Sequence, residues 1–258
     1  MRFAGKVALI TDGNSGIGLA TTRQLIAEGA RVAITGCDQA KLDAIAQELG
    51  GDVFPLQVDL GDPAAVESMA SAVAEAFGGL DILFANAGIS ESTPLGKTSA
   101  EAFDAVLRSN LTSVFLIVQS VAPIFNDGGA IILNGSVMRS LGFPGSAAYA
   151  ATKAGVSAMA KVFASELAPR GIRVNTVVPG ATLAAVWTRG NRAGRARDAA
   201  DLAFSPSIPV GHLNTADEAA RSVLLLASDA AAVITAAEIV VDGGMTGASW
   251  GGQLCRPA

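Results

Sequence analysis

Val7-Ala-Leu-Ile-Thr-Asp-Gly-Asn-Ser-Gly-Ile-Gly18 joins a short apolar run to a glycine-rich turn, and a stretch of helical length, Gly16 to Glu28, follows. A continuously apolar run of this length is the pattern of a strand covered on both faces. Gly13, Gly16 and Gly18 permit a tight turn and a close approach of backbone to phosphate, at a helix amino terminus that attracts anions. A glycine cluster alone is a weak signal. Its place between the first strand and the first helix gives it weight.

The same alternation continues along the chain. Val7–Thr11, Arg31–Thr35, Val53–Val58, Ile82–Ala85, Ala130–Leu133, Arg173–Val177 and Glu238–Val241 are expected strands. Gly16–Glu28, Gln39–Leu49, Ala64–Phe77, Ala100–Val121, Ala147–Leu167 and Asp217–Ala227 are expected helices. Repeated strand-helix-strand units predict an α/β fold, a doubly wound (Rossmann-type) parallel sheet of about seven strands with helices on both faces. Residues 1–258 are expected to form a single dinucleotide-binding and catalytic domain. Residues 184–210 break the rhythm and are expected to be a substrate-loop insertion.

Half of the 258 residues are hydrophobic while 5% are aromatic, so the core is expected to consist of small and branched aliphatics. A net charge of −5 leaves no electrostatic footprint for nucleic acid. Cys37 and Cys255 form no close-spaced ligand pair, and His212 is the only histidine. No metal site, disulfide framework or Ser-His-Asp triad is therefore expected. A reducing cytoplasm fits this cysteine usage. No targeting segment or bilayer-spanning stretch is expected, and membrane partners are not.

Chemistry concentrates in Ser146-Ala-Ala-Tyr-Ala-Ala-Thr-Lys153, where Tyr149 and Lys153 share a helix face. A phenol beside a fixed positive charge is a candidate general acid. Tyr149 is the only tyrosine, and Ser136 follows the apolar run that ends at Leu133. Each residue alone has an ordinary structural explanation; their convergence at the carboxyl end of a parallel sheet favours a site.

Together these residues resemble the short-chain dehydrogenase/reductase family over about residues 5 to 244. The likeness rests on Thr11 to Gly18, Asn86-Ala-Gly88, Asn110, Ser136, Tyr149, Lys153, Ile172 to Gly180 and Val241-Asp-Gly-Gly244. The resemblance implies Asn110, Ser136, Tyr149 and Lys153 as catalytic residues. It implies cofactor contacts from Gly13, Asn14, Ser15, Gly16, Ile17, Gly18, Cys37, Asp38, Asp59, Leu60, Asn86, Ala87, Gly88, Tyr149, Lys153, Pro179, Gly180 and Thr182. Tyr149 would protonate the substrate oxygen, Lys153 would lower the tyrosine pKa and hold the nicotinamide ribose, and Ser136 would donate to the developing oxyanion. Asn110 would anchor a water linking Lys153 to solvent. Leu141, Phe143, Val186 and Trp187 would surround the substrate, although their hydrophobicity alone also suits packing.

Three departures stand out. Asp12 occupies the position of the family's first glycine, Cys37 that of the arginine in phosphate-preferring relatives, and Ala184-Ala185 replaces an expected Thr-Pro pair. Gly36 offers no carboxylate to a ribose 2′-OH and leaves room for a phosphate, which favours NADP(H); the missing arginine keeps NAD(H) open, with Asp38 as a ribose contact. The expected activity is hydride transfer between a nicotinamide cofactor and a small-molecule ketone or secondary alcohol. A 3-oxoacyl-(acyl-carrier-protein) reductase is the alternative, since the basic Arg189 to Arg197 cluster suits an acidic carrier. A cofactor-sensing or structural subunit with impaired catalysis is the second. Long apolar helices suggest a homotetramer.

Overall fold

The computed structural model describes residues 1–183 and 204–248. Seven strands form one parallel sheet: β1 (Val7–Ile10), β2 (Arg31–Gly36), β3 (Val53–Gln57), β4 (Leu80–Ala85), β5 (Phe125–Asn134), β6 (Arg173–Pro179) and β9 (Glu238–Val241), ordered β3-β2-β1-β4-β5-β6-β9. A two-stranded pair, β7 (Thr182–Leu183) with β8 (Asn214–Thr215), stands beside it. The α-helices among the described residues are α1 (Gly16–Ala27), α2 (Gln39–Leu49), α3 (Pro63–Phe77), α4 (Ala100–Leu107), α5 (Ser113–Val121), α6 (Ala147–Leu167) and α7 (Ala216–Ala227). The doubly wound parallel fold expected from the alternation is the one observed. The strand order reverses between β1 and β4, which opens a crevice at their carboxyl ends.

Strand β1 shows why the sheet needs a layer on each side. Val7 and Leu9 enter a core shared with α3, α5 and α6, while Ala8 and Ile10 enter one shared with α1, α2 and α7. Burying Leu9 or Ile10 completely contributes about 1.5–3 kcal/mol each. Local signals set the helix ends. Asp62 accepts from the amide of Ala64 and Pro63 opens α3, which closes on left-handed Gly78; Thr215 and Glu218 form a capping box on α7.

Some boundaries move. Strand β4 begins at Leu80, where Leu80 pairs with Phe125 before a register shift to Ile82–Ala130, and β5 is correspondingly longer than the apolar run alone. The expected helix 100–121 is interrupted by a π turn over Arg108–Thr112. The expectation that no stretch is long enough to span a bilayer needs correction: Ala100–Ile124 has that length and apolarity. Here it packs as a sheet-covering layer, with Val114, Ile117, Val118 and Val121 in the core. Most of the expected insertion at 184–210 lies outside the described residues. Its end is a short 3-10 turn, Ser205–Ser207, followed by buried Ile208.

Candidate active site

The amino terminus of α6 is fixed from outside the helix. Thr93 bridges to Ser146, donates its amide to the Gly145 carbonyl at 2.7 Å, and accepts from the Ala148 amide at 3.1 Å through its hydroxyl. This holds the first turn that carries Tyr149. One turn later Lys153 is 4% exposed, and its ammonium donates to the Asn134 carbonyl at 2.7 Å, 5.6 Å from the Tyr149 ring centroid. Burial lowers the Lys153 pKa to about 8. Burial raises that of Tyr149, against a smaller opposing effect from its hydrogen bond with Ser136.

The expectation that Lys153 lowers the tyrosine pKa is therefore corrected. The ammonium is directed at the end of β5, and burial dominates the phenol. Ser136 caps a 3-10 turn, Val137–Arg139, its hydroxyl accepting from the Met138 amide at 3.2 Å. Arg139 anchors that turn through a 2.6 Å pair with Glu238 at the start of β9. The serine and tyrosine hydroxyls thus meet beside a buried amine, an arrangement able to hold a carbonyl oxygen and protonate it.

Asn110 lies fully buried in the π turn. Its carboxamide accepts from the Ile89 amide and donates to the Ile89 carbonyl, both at 2.7 Å. Such widened turns recur at functional sites. A second chain of polar contacts ties the strand ends together: the Thr11 hydroxyl accepts from the amides of Asn86 and Ala87, each at 2.9 Å, and Asn134 donates to the Asn86 side chain at 3.0 Å. Thr11 opens the glycine motif, but neither it nor Asn134 is among the site residues expected from the sequence. The only sequence signal for Asn134 is its place two residues before Ser136.

The glycine turn fits a dinucleotide phosphate. A Cβ on Gly18 would stand 2.2 Å from the Asp12 carbonyl, so only glycine lets α1 begin this close to the turn. Among the described residues no side chain caps α1, and no acidic residue occupies its first turn, which leaves its leading amides for an anion. Gly13, Asn14, Ser15, Gly16 and Ile17 all line this turn or the helix start. Gly88 follows Asn86 and Ala87 at the end of β4; Pro179 ends β6, and Gly180 donates to the Val241 carbonyl at 2.9 Å. Thr182 is buried, with its hydroxyl donating to the Gly180 carbonyl at 3.0 Å.

The rim of the cofactor region differs from expectation. Asp38 does not stand free for a ribose: it accepts from the Lys41 amide at 3.2 Å as the cap of α2, and pairs with the Lys41 ammonium at 2.8 Å. Gly36 does not leave open room, because the Asn14 carboxamide lies against it. Asp59 accepts from the Gly61 amide at 2.9 Å, and Leu60 packs on the core. Cys37 is exposed. On the substrate side, exposed Phe143 lies against Phe204, the rings tilted by 43° with centroids 6.3 Å apart. Val186, Trp187, Ala184-Ala185 and the Arg189 to Arg197 cluster lie outside the described residues.

Asp12 adopts φ 52°, the left-handed conformation that glycine takes more readily, and the Ser15 hydroxyl donates to its carboxylate at 3.1 Å. Asp12→Gly is expected to tighten NADH and NADPH equally, by roughly tenfold, since it removes a negative charge beside a phosphate-binding turn. The lost Ser15 bond offsets the conformational gain, so melting temperature should move little. Unequal tightening in fluorescence titrations would show that residue 12 does not face the pyrophosphate shared by both nucleotides.

A glycine turn after β1 and a Ser-Tyr-Lys cluster at the strand ends define a nicotinamide-dependent dehydrogenase or reductase. The chain belongs to the short-chain dehydrogenase/reductase family, whose members are NAD(P)-dependent oxidoreductases. A family model described as enoyl-(acyl carrier protein) reductase matches residues 12–246. The chain is 38% identical over 250 residues to the 3-oxoacyl-(acyl-carrier-protein) reductase of Escherichia coli (strain K12), covering 95% of this chain and 99% of that one. It is also 38% identical over 252 residues to a D-threitol dehydrogenase of Mycolicibacterium smegmatis, covering 95% and 94%. Levodione reductase superposes with a TM-score of 0.87 at 33% identity, over 94% of this chain and 98% of that one.

Proposed function

We propose that the chain is a carbonyl reductase that interconverts a ketone and a secondary alcohol, working as a single domain with Asn110, Ser136, Tyr149 and Lys153 as its catalytic set. The observation that carries this reading is the meeting of the Ser136 and Tyr149 hydroxyls beside the buried Lys153 ammonium. When bound, the nicotinamide supplies the hydride to the carbonyl carbon. Ser136 holds the carbonyl oxygen, and Tyr149 delivers a proton to it as charge develops. Lys153, with a pKa of about 8, returns a proton to Tyr149 near neutral pH. The Asn110 carboxamide is engaged with Ile89, so its side chain positions the loop after β4. That leaves the main chain of the π turn to hold the relay water assigned to it.

The exposed Phe143 with Phe204 suits an apolar ketone. The test is a titration with NADH and NADPH followed by cofactor oxidation against acyclic and cyclic ketones, and cofactor reduction with polyols. Turnover of a carrier-bound 3-oxoacyl thioester in preference to every free ketone would favour the second reading, which the similarity to the Escherichia coli enzyme supports. Nucleotide binding with no turnover in any arm would favour the sensing role. NADP(H) is favoured because residue 36 carries no carboxylate, and NAD(H) is accepted.

We assign the protein to the cytoplasm and expect a homotetramer. Phe115 is 43% and Val162 54% exposed, on the layer formed by α5 and α6. Light scattering at micromolar concentration should give four times the 25.9 kDa chain mass. A monomer would overturn that assembly.

A further inference from the structure

Sheets of this kind present the end of their second strand to the adenosine ribose, where an acidic side chain meets the 2′-OH or an arginine meets a 2′-phosphate. Here that position is Gly36, which has neither. Its missing side chain is replaced from elsewhere in the chain: the Asn14 carboxamide places Nδ2 at 2.8 Å, Oδ1 at 3.0 Å and Cγ at 3.1 Å from where a Cβ on residue 36 would stand. Asn14 is half-buried, and its side chain forms no hydrogen bond with the described residues. The neighbouring groups are already engaged. Asp38 and Lys41 neutralise each other, the Cys37 carbonyl accepts from the Gln57 side chain at 3.0 Å, and Asp59 holds its own turn.

We infer that Asn14 reads the 2′ position of the adenosine ribose in place of a β2 side chain, and reads it permissively. The inference rests on the dinucleotide site assigned above. A carboxamide has both an acceptor and donors. Its oxygen accepts from a 2′-OH, and after rotation its amino group donates to a 2′-phosphate. A carboxylate only accepts and repels phosphate; a guanidinium only donates. With the Asp38–Lys41 pair neutral overall, nothing else among the described residues at this end of β2 separates the two nucleotides strongly. NADPH is then preferred over NADH by no more than about tenfold.

Dissociation constants for NADH and NADPH, measured by nucleotide fluorescence on the parent, Asn14→Asp and Asn14→Ala, test this. Asn14→Asp should weaken NADPH by at least about tenfold more than it weakens NADH. Any added repulsion of the pyrophosphate is common to both nucleotides and cancels in the ratio. Asn14→Ala should weaken both by about threefold to tenfold. Equal weakening of both nucleotides by Asn14→Asp, or no change in either, overturns the inference while leaving the site assignment intact. A parent that binds neither nucleotide overturns the site assignment itself. Melting curves distinguish a misfolded variant, and Asn14→Ser, which keeps a smaller group able to donate and accept, should then hold the parental ratio.

Discussion

Tyr149→Phe lowers ketone turnover by roughly 10²- to 10⁴-fold, and NADH and NADPH still bind within a few-fold of the parent. The substitution keeps the ring that lies 5.6 Å from the Lys153 ammonium and removes only the hydroxyl. Packing at the head of α6 therefore survives, since Ala148 and Ser146 hold that turn through Thr93. What disappears is the proton that must reach the substrate oxygen. Because burial raises the phenol pKa, the acid form persists to above pH 10, and reduction by the parent should stay supplied with proton through the neutral range. The reverse reaction needs the phenolate and should quicken as pH rises. A variant that turns over ketones at the parental rate would remove Tyr149 as the proton donor.

Lys153→Met abolishes measurable turnover and at the same time removes a pH dependence of stability. The folded parent holds an ammonium whose burial lowers its pKa from 10.5 to about 8. Below pH 8 both folded and unfolded chains carry the charge, and the folded one carries it at a cost. As pH rises above 8 the folded lysine loses its proton first, the unfolded chain binds more protons, and the parent gains stability. From pH 8 to pH 10 this gain amounts to roughly 2 kcal/mol from this one group. The Met variant lacks it, so the stability difference between variant and parent should shift by that amount across the window. Denaturant unfolding at several pH values measures it. Parallel pH profiles for the two proteins would mean that Lys153 is not buried as an ammonium. Tyr149 acts in the opposite sense above pH 10, since its folded pKa is raised, which is why the window stops there.

Strands and most helix ends were legible in the sequence because each has a local cause. The apolar runs of β1 and β2 have no polar face, and Asp62-Pro63 with Gly78 marks α3 at both ends. Tyr149 and Lys153 were legible as a pair because helical spacing alone brings them together. Contacts between distant segments were not. Asn134 receives the lysine across 19 residues of sequence, and Asn14 covers Gly36 across a whole strand-helix unit. Asp38 is engaged as the cap of α2 and not free for a ribose, and an acidic residue just before a helix is itself a capping signal. The direction of the Tyr149 pKa is not legible from helical spacing: proximity to Lys153 predicts a lowered value, whereas desolvation, which depends on tertiary packing, is the largest effect and raises it.

The widened turn at Arg108–Thr112 does more than present Asn110. It introduces an extra residue into an otherwise α-helical path, and one residue is worth about 100° of rotation. Everything after it is phase-shifted relative to α4, and that shift brings Val114, Ile117, Val118 and Val121 onto the sheet. Straightening the turn to regular α geometry with every residue kept would carry these valines and the isoleucine round towards solvent, whereas deleting one residue with the turn would leave them facing the sheet. The local irregularity that places a polar group at the site is thereby locked by the hydrophobic register of the helix downstream, and neither can drift without the other.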